Sequence, residues 1–275
     1  FATGHNSGGF NDQLTITDAN GNTSQVAPTY KPERLYSIEV GSKNEWFDKK
    51  LRVNAAAFVY IYRDQIFQII QQTGPQTDPM QPAPSSAVRV NAGKSHILGL
   101  EFDGAYQLPH GFVISASGTL LDGRIDEGAI FDNRVAYGPT NGPNDKVNVA
   151  GKTLPRAPRI TVNYALAQNI RVPFGWFDWI VSAQTRSQYF MTVFNGEGLD
   201  AQGNVNPNLS DVVPRYTRVD AGAGYTRPDG KWRLGVSGSN LTNVAYMTTF
   251  INTPGLNLRY FNPPRQVGVR LSLYW

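Results

Sequence analysis

The segment Gln266–Trp275, "QVGVRLSLYW", alternates without a fault between apolar side chains and polar or small ones. One side carries Val267, Val269, Leu271, Leu273 and Trp275, and the other carries Gly268, Arg270, Ser272 and Tyr274. Successive side chains of a strand point to opposite faces, so the segment predicts a β-strand with one apolar face that runs through Trp275. Ordinary chain ends are polar and frayed, whereas this strand finishes on a large aromatic residue.

The composition is that of a chain built from strands and turns. Of the 275 residues, 40% are hydrophobic and 17% are charged, while Gly (27) and Pro (18) are abundant. Cys is absent, and the three His show no metal-ligand spacing, so we expect no disulfide, no metal site and no cofactor. The net charge of +4 forms no basic stripe, which argues against nucleic-acid binding.

The same alternation recurs along the chain and predicts nine strands, joined in turn by short turns and long irregular loops. In strand two, Phe58 and Tyr60 interrupt the pattern. The predicted strands cover about 34–47, 51–71, 94–108, 112–120, 160–166, 177–189, 219–225, 232–239 and 267–275.

Three features favour a transmembrane barrel over a soluble sandwich with one solvated face. The loops alternate between short and long, as in outer-membrane barrels, and the second face of each strand is polar, as in a water-filled lumen. Aromatic residues gather near the short turns, where rings prefer a membrane–water boundary. They are Trp46, Phe47, Tyr106, Phe112, Trp176, Phe177, Trp179, Tyr225, Trp232, Tyr274 and Trp275. The predicted fold is all-β, an antiparallel transmembrane β-barrel.

Several segments, from about Tyr36 onward, resemble the C-terminal half of the barrel of a TonB-dependent outer-membrane receptor. They are "LRVNAAAFVYIYRDQI", "NAGKSHILGLEFDGAYQLPHGF", "GKTLPRAPRITVNYAL", "RYTRVDAGAGY", "KWRLGVSGSNLTNVAY" and "NPPRQVGVRLSLYW". The family usually ends in Phe, whereas this chain ends in Trp275. The resemblance implies a 22-stranded barrel that holds an N-terminal plug and a box that binds TonB.

The predicted domain organisation follows from that resemblance. Residues 1–275 are expected to form the C-terminal part of the barrel domain, about nine of its strands, without the plug, the TonB box and the earlier strands. Nine is odd, whereas bacterial single-chain barrels have even strand numbers, so we expect a piece of a longer chain that begins inside an extracellular loop.

The resemblance implies TonB-dependent active uptake of a scarce, bulky ligand across the bacterial outer membrane. A siderophore, a corrin and an oligosaccharide all remain open as the extracellular ligand. The alternative is a passive porin-type channel, and a third class is a soluble carbohydrate-binding sandwich. Ser, His and Asp do not converge in one site, so we expect no enzyme. The expected partners are TonB, lipopolysaccharide and outer-membrane lipid, and the barrel-assembly machinery.

Three groups of residues are candidates for function. Aromatic and basic loop residues suit ligand stacking and anion binding: Arg134, Tyr137, Tyr189, Phe190, Phe194, Arg259 and Tyr260. Charges on the polar face are expected to line the lumen wall: Glu101, Asp103, Arg218, Asp220, Arg233 and Arg270. The first two of these acids, two residues apart, could instead suggest paired catalytic acids, which a solvated wall explains better. The resemblance implies that Trp275 belongs to the signal read by the assembly machinery.

Overall fold

Antiparallel β-structure dominates the chain. The computed structural model describes residues 1–18, 20–78, 81–91, 93–136 and 146–275. Besides the strands, these residues contain two single 3₁₀ turns, Pro109–Gly111 and Pro207–Leu209. The strands, numbered along the chain, are β1 (Ala2–Asn6), β2 (Gly9–Phe10), β3 (Leu14–Thr17), β4 (Thr23–Val26), β5 (Thr29–Tyr30), β6 (Glu33–Trp46), β7 (Leu51–Arg63), β8 (Ile66–Gln72), β9 (Ser85–Asn91), β10 (Lys94–Gln107), β11 (Phe112–Glu127), β12 (Ala129–Phe131), β13 (Lys146–Asn148), β14 (Ile160–Val172), β15 (Gly175–Arg186), β16 (Tyr189–Phe190), β17 (Val212–Val213), β18 (Tyr216–Thr226), β19 (Trp232–Ser239), β20 (Met247–Thr253), β21 (Leu256–Phe261) and β22 (Gln266–Leu273).

Ten of these strands form one sheet, in the order β1-β6-β7-β10-β11-β14-β15-β18-β19-β22. Nine of them correspond to the predicted strands. The tenth is β1, which pairs antiparallel with β6 although its residues were expected to lie in a loop. All five of its residues are exposed and they do not alternate, so only backbone pairing with β6 defines this strand. The prediction of nine strands is therefore wrong by one, and the described sheet has an even number.

Short and long connections alternate around the sheet, as predicted. The short ones span 47–50, 108–111, 173–174 and 227–231 and lie along one edge. The long ones span 7–32, 64–93, 128–159, 187–215 and 240–265 and lie along the opposite edge. Each long loop carries small hairpins of its own, formed by the pairs β2–β5, β3–β4, β8–β9, β12–β13, β16–β17 and β20–β21.

Several strand ends differ from the prediction, and strands four and five are longer than predicted, since they run to Glu127 and Val172. Strand two ends at Arg63, because Asp64 adopts a left-handed backbone with φ of 54°, and β8 after it belongs to an outer-loop hairpin. Strand six ends at Arg186, so Tyr189 lies in the loop strand β16 instead. The last strand ends at Leu273, with one further backbone bond of 2.8 Å from Tyr274 N to Lys231 O.

One face of the sheet is a continuous apolar surface. Across β19 and β22, Leu234 lies opposite Leu271 and Val236 opposite Val269. The same face continues through every other strand of the sheet from β6 onward, and its aliphatic side chains remain open to the surroundings: Val40 is 73% exposed and Val269 is 72% exposed. Because this surface has no protein partner among the described residues, it is suited to contact lipid.

The two aromatic residues that interrupt strand two lie on the other, polar face. The rings of Phe58 and Tyr60 stack with centroids 4.6 Å apart, and Phe58 lies directly over Gly99 of β10. A Cβ at residue 99 would overlap the Phe58 ring, so only glycine leaves room for it. Phe58 and Tyr60 therefore keep the alternation of the strand: they are aromatic residues on its polar face, and Phe58 packs over a glycine there.

The aromatic side chains gather at the edge with the short turns, as predicted. Their rings pack in pairs there: Phe47 with Tyr106, Phe112 with Trp179, Phe174 with Tyr225, and Tyr225 with Trp232. Trp176 lies at the same edge but on the polar face. It is opposite Arg171, whose Cζ is 5.7 Å from the indole centroid.

Buried apolar clusters lie beneath the long loops. The largest combines loop and strand-end residues: Ile125, Ile130, Val149, Leu154, Val193 and Phe194. A second cluster of Tyr189, Met191, Val213, Tyr216 and Met247 joins the loops before β18 and after β19. Within the part of the chain described above, no helix has the length and apolar character to cross a membrane.

Candidate functional site

All six predicted wall charges lie on the polar face. Strand register places Asp103 opposite Asn54 and Ser117, in a row that continues through Asn163 and Gln184 to Arg218. Glu101 and Asp220 lie on the neighbouring rows, and Arg233 and Arg270 lie on the same face nearer the short turns. The sequence pattern therefore predicted correctly that these charges share one surface.

Side chains on this face are bonded across strands. Asn54 donates to both Asp103 oxygens at 3.1 and 3.2 Å, and Gln184 donates to Asn163 at 2.8 Å. Arg218 pairs with Asp220 at 2.9 Å on one strand, and Asp220 also accepts the Asn240 backbone N–H at 2.7 Å. These side chains are only partly buried, so the face is not a packed core.

Arg233 reaches across a neighbouring strand on the polar face. Its guanidinium crosses β18 and binds both carboxylate oxygens of Asp178 on β15, with the Nη2–Oδ2 distance at 2.7 Å. The crossing runs over Gly224, where a Cβ would overlap the guanidinium. Glu101 and Arg270 have no ion pair with any described residue.

Arg134, a predicted ligand contact, is buried and fully engaged within the loops. Its Nε and Nη2 donate to Asp132 at 2.8 and 2.7 Å, and Nη1 donates to the Glu197 carbonyl at 2.6 Å. The guanidinium also lies 3.7 Å from the Phe194 ring centroid, and both side chains are 5% exposed. This cluster joins the loop 128–159 to the loop 187–215 and leaves Arg134 with no free donor nitrogen.

Some of the other predicted ligand residues are also buried or engaged within the loops, and others are exposed. Tyr189 is buried in the second loop cluster, and Phe190 is partly buried beside it. Arg259 donates to the backbone carbonyls of Asn208 and Ser210 and lies 5.4 Å from the Phe250 ring, so it joins the loop 187–215 to the loop 240–265. Tyr260 is 58% exposed and remains available. Tyr137 lies outside the described residues.

A cavity of about 500 Å³ lies among the long loops. Its wall is mostly apolar and aromatic, with polar groups from Arg156 and Asn252. Phe67, Ile70 and Phe250 contribute to it and were not named as candidates from the sequence, whereas two predicted ligand residues, Arg134 and Phe194, also line it. Phe67 and Ile70 fall within the predicted strand two, which was expected to continue past Asp64. Because the turn at Asp64 was not predicted, these two residues were not recognised as loop residues.

Asp211 organises the loop next to this cavity and was also missed. Its carboxylate accepts the Thr192 N–H and hydroxyl at 2.5 and 2.6 Å and the Gly196 N–H at 2.6 Å. Asp211 is 3% exposed. The sequence signal was weak, because the three donors lie 15 to 19 residues away and no local pattern marks them.

Two loop turns share the sequence pattern Asp-Ala-Asn/Gln-Gly-Asn, at 18–22 and 200–204. At the second, backbone and side-chain donors of Asn204 hold the pKa of the Asp200 carboxyl below its usual value. At the first, the side chain and backbone of Asn22 lower the pKa of Asp18 in the same way. Both turns are local structural devices. No cluster of His, Cys, Asp or Glu suited to a metal occurs among the described residues.

Comparison with known proteins agrees with this architecture. A family model described as "TonB dependent receptor-like, beta-barrel" matches residues 1–241. The ferric-pyoverdine M114 receptor PbuA of Pseudomonas sp. (strain M114) is 27% identical over 243 residues, which is 86% of this chain and 24% of that receptor.

Solved structures share the fold. The ferric yersiniabactin uptake receptor FyuA from Yersinia pestis matches with a TM-score of 0.67 at 15% identity, over 98% of this chain and 33% of that one. The siderophore receptor PiuA from Acinetobacter baumannii matches with a TM-score of 0.59 at 19% identity, over 88% and 28% of the two chains. The chain thus spans about a quarter to a third of the length of these relatives, which are receptors and not enzymes. The match over residues 1–241 establishes that the chain belongs to the TonB-dependent receptor-like β-barrel family.

Proposed function

We propose that this chain forms part of the barrel wall and outer loops of a receptor that takes up a ferric siderophore across the bacterial outer membrane, driven by TonB. The observation that carries the proposal is the ten-stranded antiparallel sheet, with an apolar face on one side and a bonded polar face on the other. A sheet of this kind separates lipid from a hydrated lumen. The ligand class is supported by the ferric-pyoverdine receptor that matches the sequence.

Further strands complete the barrel in this proposal. The sheet order is open, with β1 and β22 each paired on one side only. Open edges are not tolerated in lipid, because each unpaired backbone group costs several kcal/mol. We assign residues 1–275 to the C-terminal part of the barrel domain, in a multi-pass outer-membrane protein. TonB acts through a plug and a TonB box that lie outside this sequence.

The polar face is assigned to the lumen wall. Glu101 and Arg270, which have no ion pair with described residues, are available to contact a plug, whereas Asp103, Arg218, Asp220 and Arg233 are held within the wall. Trp275 is assigned to the signal for the barrel-assembly machinery. Leu273, on the same side of the strand, extends the exposed apolar face toward it.

The loop cavity is assigned to ligand contact, and the roles of the loop residues differ from one another. Tyr260, which is exposed, and Phe190, which is partly buried in its loop, are kept as ligand contacts outside the lining of the cavity. Arg134 and Phe194 line the cavity, but they and Arg259 are assigned to hold the loops together, because their polar groups or rings are already engaged. The mixed apolar and polar lining suits a metal chelate with flat aromatic or amide surfaces.

Uptake of labelled ligands by cells that express the full-length gene product tests this proposal. The panel contains ⁵⁵Fe-loaded siderophores of the hydroxamate, catecholate and mixed classes, a labelled corrin and a labelled oligosaccharide. We expect saturable uptake of one ferric siderophore that stops when TonB is deleted. Uptake of small solutes that is unaffected by TonB deletion would identify a passive porin, and uptake of the corrin or oligosaccharide alone would refute the ligand class.

Two variants connect this assay to the loops. Tyr260→Ala should lower siderophore affinity while the amount of folded receptor in the membrane stays the same. Arg134→Ala should instead increase cleavage of the outer loops by added protease, because Asp132 loses its buried partner. Equal effects of both variants on loop cleavage would contradict the division of roles.

A further inference from the structure

Basic side chains form a row across the lipid-facing side of the sheet, at the edge that carries the long loops. Strand register places His5 opposite Arg34, Arg34 opposite Arg63, and Arg63 opposite Lys94. The row therefore crosses four adjacent strands, β1, β6, β7 and β10. These side chains are on the apolar face of the sheet. Arg34 and Arg63 are each two residues from a member of the opposed pair Tyr36 and Ile61, which lies on that face.

The row lies at the height expected for lipid headgroups. Arg34 and Trp46 are twelve residues apart on strand β6, and Trp46 lies at the aromatic edge. At about 3.3 Å per residue and a tilt of about 40°, this distance corresponds to a height of about 30 Å. The apolar band of an outer-membrane barrel is about 25 Å tall, so the row stands just above its far boundary.

Two cations of the row have no carboxylate partner among the described residues. Lys94 pairs with Glu127 at 2.8 Å, and nearby His96 and Arg124 have Asp126 and Asp122 at 2.6 and 3.2 Å. Arg34 and Arg63 are exposed and form no such ion pair. Arg63 has only the Tyr36 ring, with its guanidinium carbon 5.4 Å from the centroid.

Placing like charges directly opposite each other on neighbouring strands is unfavourable. The charge on Arg34 and Arg63 is therefore not explained by contacts within the sheet, and it complements an anion outside it. A planar guanidinium binds phosphate oxygens through two parallel hydrogen bonds, which a pair of arginines at headgroup height can present together.

We infer that Arg34 and Arg63, with Lys94 and His5 beside them, bind the phosphate groups of a phosphorylated glycolipid in the outer leaflet. The inference rests on the outer-membrane location proposed above, but not on the identity of the transported ligand. The aliphatic and aromatic side chains below the row, Tyr36 and Ile61, lie where the acyl chains of the same lipid would run.

Binding of bis-phosphorylated lipid A to the purified full-length gene product tests the inference, with the same lipid stripped of its phosphates as the comparison. The test variant is Arg34→Ala/Arg63→Ala. The control is Lys49→Ala/Lys50→Ala, which removes two exposed cations from a short turn at the opposite edge. Each cation near an anionic lipid surface contributes about fivefold to binding, so the test variant should bind roughly 25-fold more weakly.

The control should bind within about twofold of the unmodified protein, and the dephosphorylated lipid should bind as weakly as the test variant does. Equal binding of both lipids, or no loss in the Arg34→Ala/Arg63→Ala protein, would overturn the inference. Displacement of the lipid by an equal concentration of inorganic phosphate would also overturn it and identify a free-anion site.

A second variant separates binding from folding. Arg34→Lys/Arg63→Lys keeps the charges but not the planar guanidinium groups, so its binding should fall between that of the alanine variant and that of the unmodified protein. The folded fraction is read from the heat-modifiable band on gels. Outer-membrane location and TonB-driven uptake are measured independently of lipid binding. If the unmodified protein takes up its ligand normally and the Arg34→Ala/Arg63→Ala protein binds lipid as well as it does, this inference alone is refuted.

Discussion

At the scale of single residues, Gly224 creates the space through which Arg233 reaches Asp178. The guanidinium passes from β19 over β18 to β15, and both members of the pair are about a third exposed. Gly235 lies directly opposite Gly224 in the same sheet, and a Cβ at residue 235 would have no atom nearer than 3.8 Å. Two neighbouring glycines on one face therefore have different roles, and a pair of substitutions separates them.

Gly224→Ala should break the Arg233–Asp178 pair, because the long side chain can swing away more easily than the backbone can move. We expect a loss of about 0.5–1 kcal/mol in lipid refolding titrations, the usual range for a partly exposed pair. The loss should not add to that of Arg233→Ala, since both changes remove the same interaction. Gly235→Ala should be close to neutral, and a cost equal to that of Gly224→Ala would contradict these roles.

The sequence predicted which residues share the polar face better than it predicted how the loop residues pack. Asp103 and Arg218 were placed correctly because strand alternation is a local rule that acts on every second residue. Arg134 was predicted to bind ligand because it is a basic residue among aromatic ones. Its burial depends on Phe194 and Glu197, about 60 residues away in another loop, and no local pattern encodes that packing.

At the scale of elements, the interiors of strands were predictable and several of their ends were not. β14 and β19 carry an apolar face that the alternation predicted. The end of β7 depends on one left-handed residue, Asp64, and β1 exists only through its backbone pairing with β6. Hydrogen bonds between main chains are nearly independent of side-chain type, so an edge strand without alternation leaves no signal in the sequence.

Strand β19 allows the two faces to be compared with three matched substitutions. Val236→Arg, on the apolar face near mid-height, should cost about 2–4 kcal/mol in lipid refolding titrations. Trp232→Arg, on the same face at the aromatic edge, should cost about 1 kcal/mol, because the charge can reach the interface. Ser237→Arg, on the polar face, should cost little. If Ser237→Arg were as costly as Val236→Arg, the assignment of the two faces would be wrong.

At the scale of the whole molecule, the buried clusters hold the loops together while the sheet itself remains thin and open on both sides. Apart from Phe58 and Ala183, the side chains of the ten-stranded sheet that are buried and apolar lie near its loop edge, as Ile125 and Tyr216 do. Such a sheet is not stabilised by a hydrophobic core of its own. Contact of its apolar face with an apolar solvent such as lipid would supply the stabilisation instead. In the proposed barrel, alternate residues along each strand would meet lipid on one face and water on the other.

The most direct test of this alternation measures the accessibility of spin labels along β10 in lipid bilayers. The chain contains no cysteine, so single cysteines at Leu100, Glu101, Phe102 and Asp103 of the full-length protein can be labelled one at a time. We predict that labels at 100 and 102 collide mainly with oxygen dissolved in lipid, whereas labels at 101 and 103 collide mainly with a water-soluble nickel chelate. Equal accessibility at all four positions, or the opposite alternation, would contradict the two-faced wall.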